Sequence, residues 1–317
     1  MRRFGRVFLI VLGLLCLAGC GKGAGAAGQK SEKGYGFAEV MIIAGTEKNR
    51  YEAIFSDQIW AVPAGADGSD FASYLKDQIR QFMDELRLIS RMAKDRGIEL
   101  SAEERSAMAG AAQAYYERLS EADREYMELT LEDVQGLYED YCLAEKAVEE
   151  LTGGLALEVS DSEAQVADLL LAQTPDRQTA DQLVADASQE GADFKSCAMA
   201  LGMTVTERKL GKGEDAALDA AAFSLADGQL GPVVETDGVF TVLYCETAYD
   251  AEATDARKEA IFEERKKRAF DEIYEEYRDG VVLTYADSLW ERVDLSAQGW
   301  AGNADFFEIY QESAGRL

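Results

Sequence analysis

The residue with the most specific chemical context is Cys20, near the start of the chain. The basic segment MRRFGR precedes the apolar segment VFLIVLGLLCL, and the sequence Leu17-Ala18-Gly19-Cys20 follows. The apolar segment is too short for a stable membrane-spanning helix. Small residues at 18 and 19 let a chain enter a protease cleft, and the thiol at 20 is a nucleophile that can be linked to diacylglycerol. The pattern predicts a lipoprotein signal peptide over residues 1–19, a lipid on Cys20 and a location outside the cytoplasm. The alternative is an ordinary secretory signal with an incidental cysteine.

The chain contains no histidine, and this excludes much of acid–base and metal chemistry. Histidine is the commonest general base and the commonest metal ligand, so Ser-His-Asp and Cys-His catalysis are both ruled out. The remaining mature cysteines, Cys142, Cys197 and Cys245, lack the C-x-x-C spacing of a zinc site. The sequence also lacks a D-x-D-x-D-G calcium loop and a phosphate-binding loop. We therefore expect no metal and no cofactor.

Charge and length limit the class of partner and the number of domains. The 32 basic and 60 acidic residues give a net charge of −28. Such a surface repels phosphate backbones, so we expect no nucleic-acid partner. At 317 residues with 47% hydrophobic side chains, the chain has room for about two domains of ~150 residues.

Residues 20–36 and 37–158 differ sharply in composition. The first range is rich in Gly, Ala and Lys, which predicts a flexible tether. The second has helical periodicity throughout, with an apolar stripe that begins at Phe71 and a helix end at Gly97. Capping-box patterns at Ser101 and Thr130 open two further helices. We predict a helical domain with no strand.

Residues 159–250 show a different, mixed pattern. A capping signal at Ser160 precedes an apolar strand over 166–171, two short helices and a strand over 203–210. Asp237-Gly238 then separates two apolar, β-branched runs, which strongly indicates a hairpin. These residues predict a small α+β domain. Residues 251–317 begin with a long charged helix and continue with a strand and a helical turn that carries Trp290. The last part, 296–317, suggests a short helix without an assigned function.

The sequence after Asp215 resembles the second half of a parvulin-type peptidyl-prolyl isomerase domain. The matching parts are Ala222-Phe223-Ser224-Leu225, a turn from Gly228 to Pro232, a strand, a tight turn and a closing strand. With the lipobox and the helices around this domain, the chain resembles extracytoplasmic foldases of the SurA and PrsA kind. The resemblance implies an α+β protein in which the N-terminal helices and residues 251–317 pack together as a chaperone module. The parvulin-like domain, residues 159–250, would then be inserted into that module.

The resemblance fails at the positions that carry the chemistry of the family. Parvulins usually have one histidine on the first strand and another on the closing strand, and the alignment places Asp168 and Phe240 there. Neither side chain can replace an imidazole in a paired, hydrogen-bonded network. The resemblance also implies an apolar proline pocket, for which Phe223, Leu218 and Phe240 are the candidate substrate-binding residues.

These observations predict a membrane-anchored foldase that binds unfolded, exported polypeptides and has weak or lost isomerase activity. Whether it is an enzyme stays open at this point. One alternative is an active isomerase that uses Asp168 and a neighbouring hydroxyl or thiol. Another is a solute-binding or structural lipoprotein, although repeated β-α units of a solute receptor are not evident.

Overall fold

The computed structural model describes residues 30–65, 68–300 and 304–315, which form two compact units. One unit contains the described residues up to Leu155 and those from Ala269 onward, and the other spans Ala156–Arg268. The predicted signal peptide and Cys20 lie outside the described residues. Within the described ranges, no helix is both long and apolar enough to cross a membrane. The mixture of helices and sheet confirms the predicted α+β class.

The first unit consists mainly of helices that begin where the sequence predicts. Its elements up to Leu155 are β1 (Lys30–Lys33), α1 (Phe37–Phe55), a 3₁₀ helix (Asp57–Ala61), α2 (Phe71–Asp95), α3 (Ala102–Arg118), α4 (Glu121–Tyr126) and α5 (Leu131–Thr152). The apolar stripe of α2 is buried, and complete capping boxes at Ser101 and Thr130 open α3 and α5. A third capping box, at Ser120, opens α4, which the sequence analysis missed.

The two strands of the first unit lie outside residues 37–158, the range for which we predict helices only. Residues Lys30–Lys33 form β1, which pairs in parallel with β6 (Val281–Thr284). The end of the predicted tether is therefore ordered. Its sequence, KSEK, has no apolar alternation, so the strand depends on its distant partner and on Arg87. The Arg87 Nε donates to the Lys33 carbonyl (2.9 Å), and its guanidinium lies 3.5 Å from the Glu32 carboxylate.

The last described helix lies in the core of the first unit. The remaining elements are α10 (Ala251–Arg278), of which Ala269 onward belongs to this unit, then α11 (Leu289–Arg292) and α12 (Phe306–Ala314). Phe306 is fully buried, and its ring stacks on Tyr138 with the ring centroids 4.1 Å apart. The Tyr138 hydroxyl donates to the Phe306 carbonyl (3.0 Å), and the Phe306 amide donates to Thr46 Oγ1 (3.0 Å). The tail that had no assigned role is thus part of the core.

The second unit is a four-stranded antiparallel sheet with short helices. Its elements are α6 (Asp161–Ala164), β2 (Val166–Thr174), α7 (Arg177–Ala187), α8 (Phe194–Ala200), β3 (Val205–Gly211), α9 (Asp219–Ala222), β4 (Leu230–Thr236), β5 (Val239–Thr247) and the first part of α10. The strand order is β3-β2-β5-β4. The hairpin prediction is confirmed: Asp237 and Gly238 connect β4 to β5, and both have positive φ (50° and 78°).

This unit extends past residue 250 because the start of α10 binds to it. The Val166 amide donates to Thr254 Oγ1 (3.0 Å), and Thr254 is fully buried. The Arg257 guanidinium donates to the carbonyls of Glu163 (3.0 Å) and Lys212 (2.9 Å). The first turns of α10 therefore belong to the fold of the second unit.

The sheet separates two apolar clusters. We call the side that packs against Leu218, Ala222 and Leu225 the Leu218 face; its strand residues include Leu169, Leu171 and Leu243. The side that packs against Ala180, Leu183 and Phe194 is the Phe194 face; its strand residues include Leu170, Ala172 and Val242. Successive residues of one strand point to opposite faces, so one sheet supports both clusters.

Candidate functional site

The structure brings Leu218 and Phe223 together on the Leu218 face. Leu218 is at the N-cap of α9 and is buried, while Phe223 follows α9 and is half-buried against the same cluster. The Leu218 amide donates to the Asp215 carbonyl (3.1 Å), which fixes the start of this single helical turn. Two of the three predicted pocket residues therefore share one surface.

Phe240 lies on the other side of the sheet. It packs against the Phe194 face, and the Arg177 guanidinium lies 5.6 Å from the centre of its ring. Strand alternation explains this, because Thr241 takes the position on the Leu218 face and Phe240 must point away from it. The structure does not bring Phe240 together with Leu218 and Phe223.

Asp168 and Phe240 do not form a cross-strand pair. In the ladder between β2 and β5, Asp168 is opposite Thr247, whereas Phe240 is opposite Thr174. The two positions are six residue steps apart along β2, a distance of about 20 Å along a strand. The histidine positions inferred from the alignment therefore lie at opposite ends of the ladder.

Asp168 is engaged in an ion pair instead of facing the predicted pocket. Its carboxylate lies 3.1 Å from Lys209 Nζ, and Lys209 also pairs with Asp250. The nearby Cys245 thiol is buried, and this burial, with smaller effects of Asp227 and Asp168, raises the pKa of Cys245. A protonated, buried thiol is a poor nucleophile. The arrangement argues against an isomerase that uses Asp168 with this thiol.

The polar pair that does lie on the Leu218 side of the strands is Gln173 with Thr241. The two residues are opposite each other in the ladder, and Gln173 Nε2 donates to Thr241 Oγ1 (3.2 Å). Thr241 is buried, while Gln173 is exposed. Neither side chain ionises in the physiological range. Sequence reasoning missed this pair, although alternation from Gly238 onward places residues 240 and 241 on opposite faces.

The carboxylates next to Leu218 accept hydrogen bonds from within the second unit. Arg208 donates to Asp215 (2.9 Å), and this hydrogen bond lowers the pKa of the Asp215 carboxyl. Around Leu218 and Phe223 the site thus offers an apolar surface, a neutral hydroxyl–amide pair and a closed ion pair. It can bind an apolar segment and donate or accept neutral hydrogen bonds, while the carboxylates of Asp215 and Asp219 accept from Arg208 and from the Gly213 amide. The described residues also contain no group of three Cys, Asp or Glu side chains placed to hold a metal ion.

No protein-family model matches the chain, and no curated protein matches it. Solved structures that resemble it include the peptidylprolyl isomerase PrsA from Bacillus cereus, at 15% identity and a TM-score of 0.35, over 80% of this chain and 98% of that one. The foldase protein PrsA from Streptococcus pneumoniae is 14% identical, with a TM-score of 0.24 over 70% of this chain and 92% of that one. A SurA-like chaperone from Campylobacter jejuni is 12% identical, with a TM-score of 0.26 over 64% and 85% of the two chains. At such low identity and TM-score, these similarities leave the activity of this chain unassigned.

Proposed function

We propose that the protein is a lipid-anchored, extracytoplasmic foldase of the parvulin type that acts mainly by binding unfolded, exported polypeptides. In this proposal the first unit is the chaperone module and the second unit is a parvulin-like domain with weak or lost isomerase activity. The membrane anchor is the lipid predicted on Cys20.

The observation that carries the proposal is the way the first unit is assembled. Helices from the first half of the chain and α12 from its end share one core, and the second unit is inserted between Leu155 and Ala269. This is the arrangement that the sequence resemblance implies. The element order of the second unit, from β2 to the hairpin of β4 and β5, also follows the order of the parvulin motifs.

The expected weakness of isomerase activity follows from the chemistry of the Leu218 face. Rotation about a prolyl peptide bond must cross a barrier of ~20 kcal/mol. An apolar surface that favours the twisted, less polar amide can lower this barrier partly through desolvation. The Gln173–Thr241 pair can add a neutral hydrogen bond but no charge. We therefore expect kcat/KM at least ~100-fold below that of a histidine-containing parvulin, the range that acid–base groups typically supply.

The test compares isomerase and holding activities in the chain from Gly21 onward. Isomerisation of an Ala-Pro peptide and suppression of aggregation of a denatured, reduced protein are measured side by side. We expect clear suppression of aggregation with little or no isomerisation. Failure to suppress aggregation would contradict the proposal.

Two matched substitutions test which face of the second unit binds the prolyl peptide. Phe223→Ala removes a half-buried ring from the Leu218 face and should weaken peptide binding about tenfold, as loss of an aromatic anchor does. Phe240→Ala removes a ring from the opposite face and should leave the affinity unchanged. Equal losses in both variants, measured by calorimetric titration, would contradict this assignment.

The second candidate, an active isomerase without histidine, is favoured by one observation. The Gln173–Thr241 hydrogen bond lies on the same side of the sheet as Leu218 and Phe223. If isomerisation is fast and falls with Gln173→Ala or Thr241→Val, but not with Asp168→Ala, this pair would carry the activity. Our preferred proposal would then be replaced.

A further inference from the structure

Three large apolar side chains are exposed at one end of α1. Ile54 and Phe55 in its last turn are 73% and 54% exposed, and Val62, just after the 3₁₀ helix, is 46% exposed. We call these three residues the 54–62 patch. Single exposed apolar residues are common on protein surfaces, and three within nine residues form a candidate contact surface.

The patch is held on a fixed support. Lys48, which is buried on α1, donates to the Leu295 carbonyl (2.8 Å) and to Glu52 Oε1 (2.5 Å). The Trp60 indole also donates to Glu52 Oε1 (2.8 Å), so the 3₁₀ helix is fastened to the last turns of α1. Gln298 donates to Asp57 (3.0 Å) at the start of that helix. These bonds fix the backbone on both sides of Phe55.

The surroundings of the patch are acidic. From residue 51 to residue 75 the sequence contains four acidic side chains and no lysine or arginine. Of the two cations that precede this stretch, the buried Lys48 pairs with Glu52, one of the four acids, and Arg50 pairs with Asp305 (2.7 Å) outside it.

The carboxyl group of Asp70 accepts hydrogen bonds that favour its charged form. Hydrogen bonds from Ser73 lower the pKa of Asp70, with a small contribution from Lys76. Asp57 follows Phe55 and Ser56 in the chain, and Asp70 pairs with Pro63 next to Val62, so both carboxylates lie beside the exposed apolar groups.

We propose that the 54–62 patch docks unfolded segments in which apolar side chains alternate with lysine or arginine. The inference rests on the proposed function and specifies which surface of the first unit contacts the client. Apolar contact with Ile54 and Phe55 supplies affinity, while Asp57 and Asp70 favour cationic segments and repel acidic ones. The net charge of −28 on every copy disfavours a second copy as occupant.

The test uses two labelled peptides of equal length, one of leucine and phenylalanine interspersed with lysine and the other with glutamate in place of lysine. Fluorescence anisotropy measures their binding to the chain from Gly21 onward. We expect the lysine peptide to bind at least about tenfold more tightly, with the difference decreasing as salt screens the charges. Asp57→Asn should reduce the preference, whereas Glu190→Gln, an exposed acid in the second unit, should not.

The apolar contribution is tested by Ile54→Ser with Phe55→Ser. Because both side chains are exposed, the unfolding temperature should not change, and affinity for the lysine peptide should fall about tenfold. Met199→Ser is the matched control, because Met199 is also 73% exposed but belongs to the second unit. Unchanged binding of the lysine peptide to the double variant would overturn this inference. The proposed function would still stand in that case if the wild-type protein suppresses aggregation. If the wild type self-associates and the double variant does not, the 54–62 patch binds a second copy. That result would also overturn the inference.

Discussion

The carboxyl group of Glu145 connects two helices of the first unit through one hydrogen bond. The Tyr310 hydroxyl on α12 donates to Glu145 Oε2 on α5 (2.7 Å). Burial raises the pKa of Glu145 to about 7; the bond from Tyr310 opposes this increase and the nearby Glu149 adds to it. Glu145 thus titrates near neutral pH at a contact that holds the end of the chain.

The stability of the first unit should depend on pH through this residue. The folded protein binds the Glu145 proton more tightly than the unfolded chain, whose pKa is near 4.5. Protonation of Glu145 therefore stabilises the folded state. This stabilisation is complete below pH 4.5 and is lost as pH rises through about 7. Glu145→Gln keeps an acceptor for Tyr310 and removes the titration. We expect the free energy of unfolding of the wild type, measured in urea, to fall by about 1–3 kcal/mol relative to Glu145→Gln between pH 5 and pH 8. Parallel pH profiles would contradict the assignment.

The helix α12 has a larger structural role than its nine residues suggest. Besides the Phe306 contacts, Asp305 caps its first turn through the amides of Phe307 and Glu308 and accepts two bonds from Arg50 on α1. A short helix at the end of a chain usually frays. This one is fixed at its first turn by a charged pair and at Phe306 by a stacked aromatic ring.

Phe306→Ala should therefore destabilise the first unit strongly. Removal of a fully buried ring leaves a cavity and is expected to cost about 3–5 kcal/mol. Gln311→Ala, on the exposed side of the same helix, should change stability by less than about 0.5 kcal/mol. Chemical denaturation followed by tryptophan fluorescence measures both. A loss below about 1 kcal/mol for Phe306→Ala would show that the helix is not part of the core.

Local signals predicted most elements, and long-range pairing decided those that were missed. Capping boxes at Ser101 and Thr130 and the Asp237-Gly238 turn act within a few residues, so the sequence reveals them. The strand β1 depends on β6, about 250 residues away. The face on which Phe240 lies, and the Gln173–Thr241 pair, depend on the register between β2 and β5, where a shift of one residue exchanges the two faces. A motif alignment lacks that register, which is why it grouped Phe240 with Leu218 and Phe223 as pocket residues.

At the scale of the whole molecule, the second unit is a continuous segment while the first unit is not. Thr254 connects α10 to β2, and Arg257 connects α10 to α6. All of these residues belong to the segment Ala156–Arg268. The second unit thus has the composition of an independently folding domain, with one sheet and an apolar cluster on each side of it.

A fragment covering residues 156–268 should fold alone, and a fragment of residues 156–250 should be less stable. The shorter one loses the buried hydroxyl that accepts from the Val166 amide, as well as the bonds from Arg257. We expect the free energy of unfolding to be at least about 2 kcal/mol lower, because the Val166 amide and the carbonyls of Glu163 and Lys212 lose their hydrogen-bond partners. Thermal unfolding followed by circular dichroism provides the comparison. Equal stability of the two fragments would place the domain end near residue 250, and an unfolded 156–268 fragment would argue against an inserted domain.

The burial of Phe306 also sets an order of events during synthesis. About 150 residues separate the end of α5 from Phe306, so at ~5–20 residues per second the early helices wait roughly 8–30 s for the side chain that completes their core. During this interval the rings of Tyr138 and Tyr141 lack their contacts with α12, and the whole sequence of the second unit is made before Phe306. The newborn chain therefore passes through a state with exposed aromatic surface, and for those seconds it is in the same condition as the proteins that it is proposed to protect.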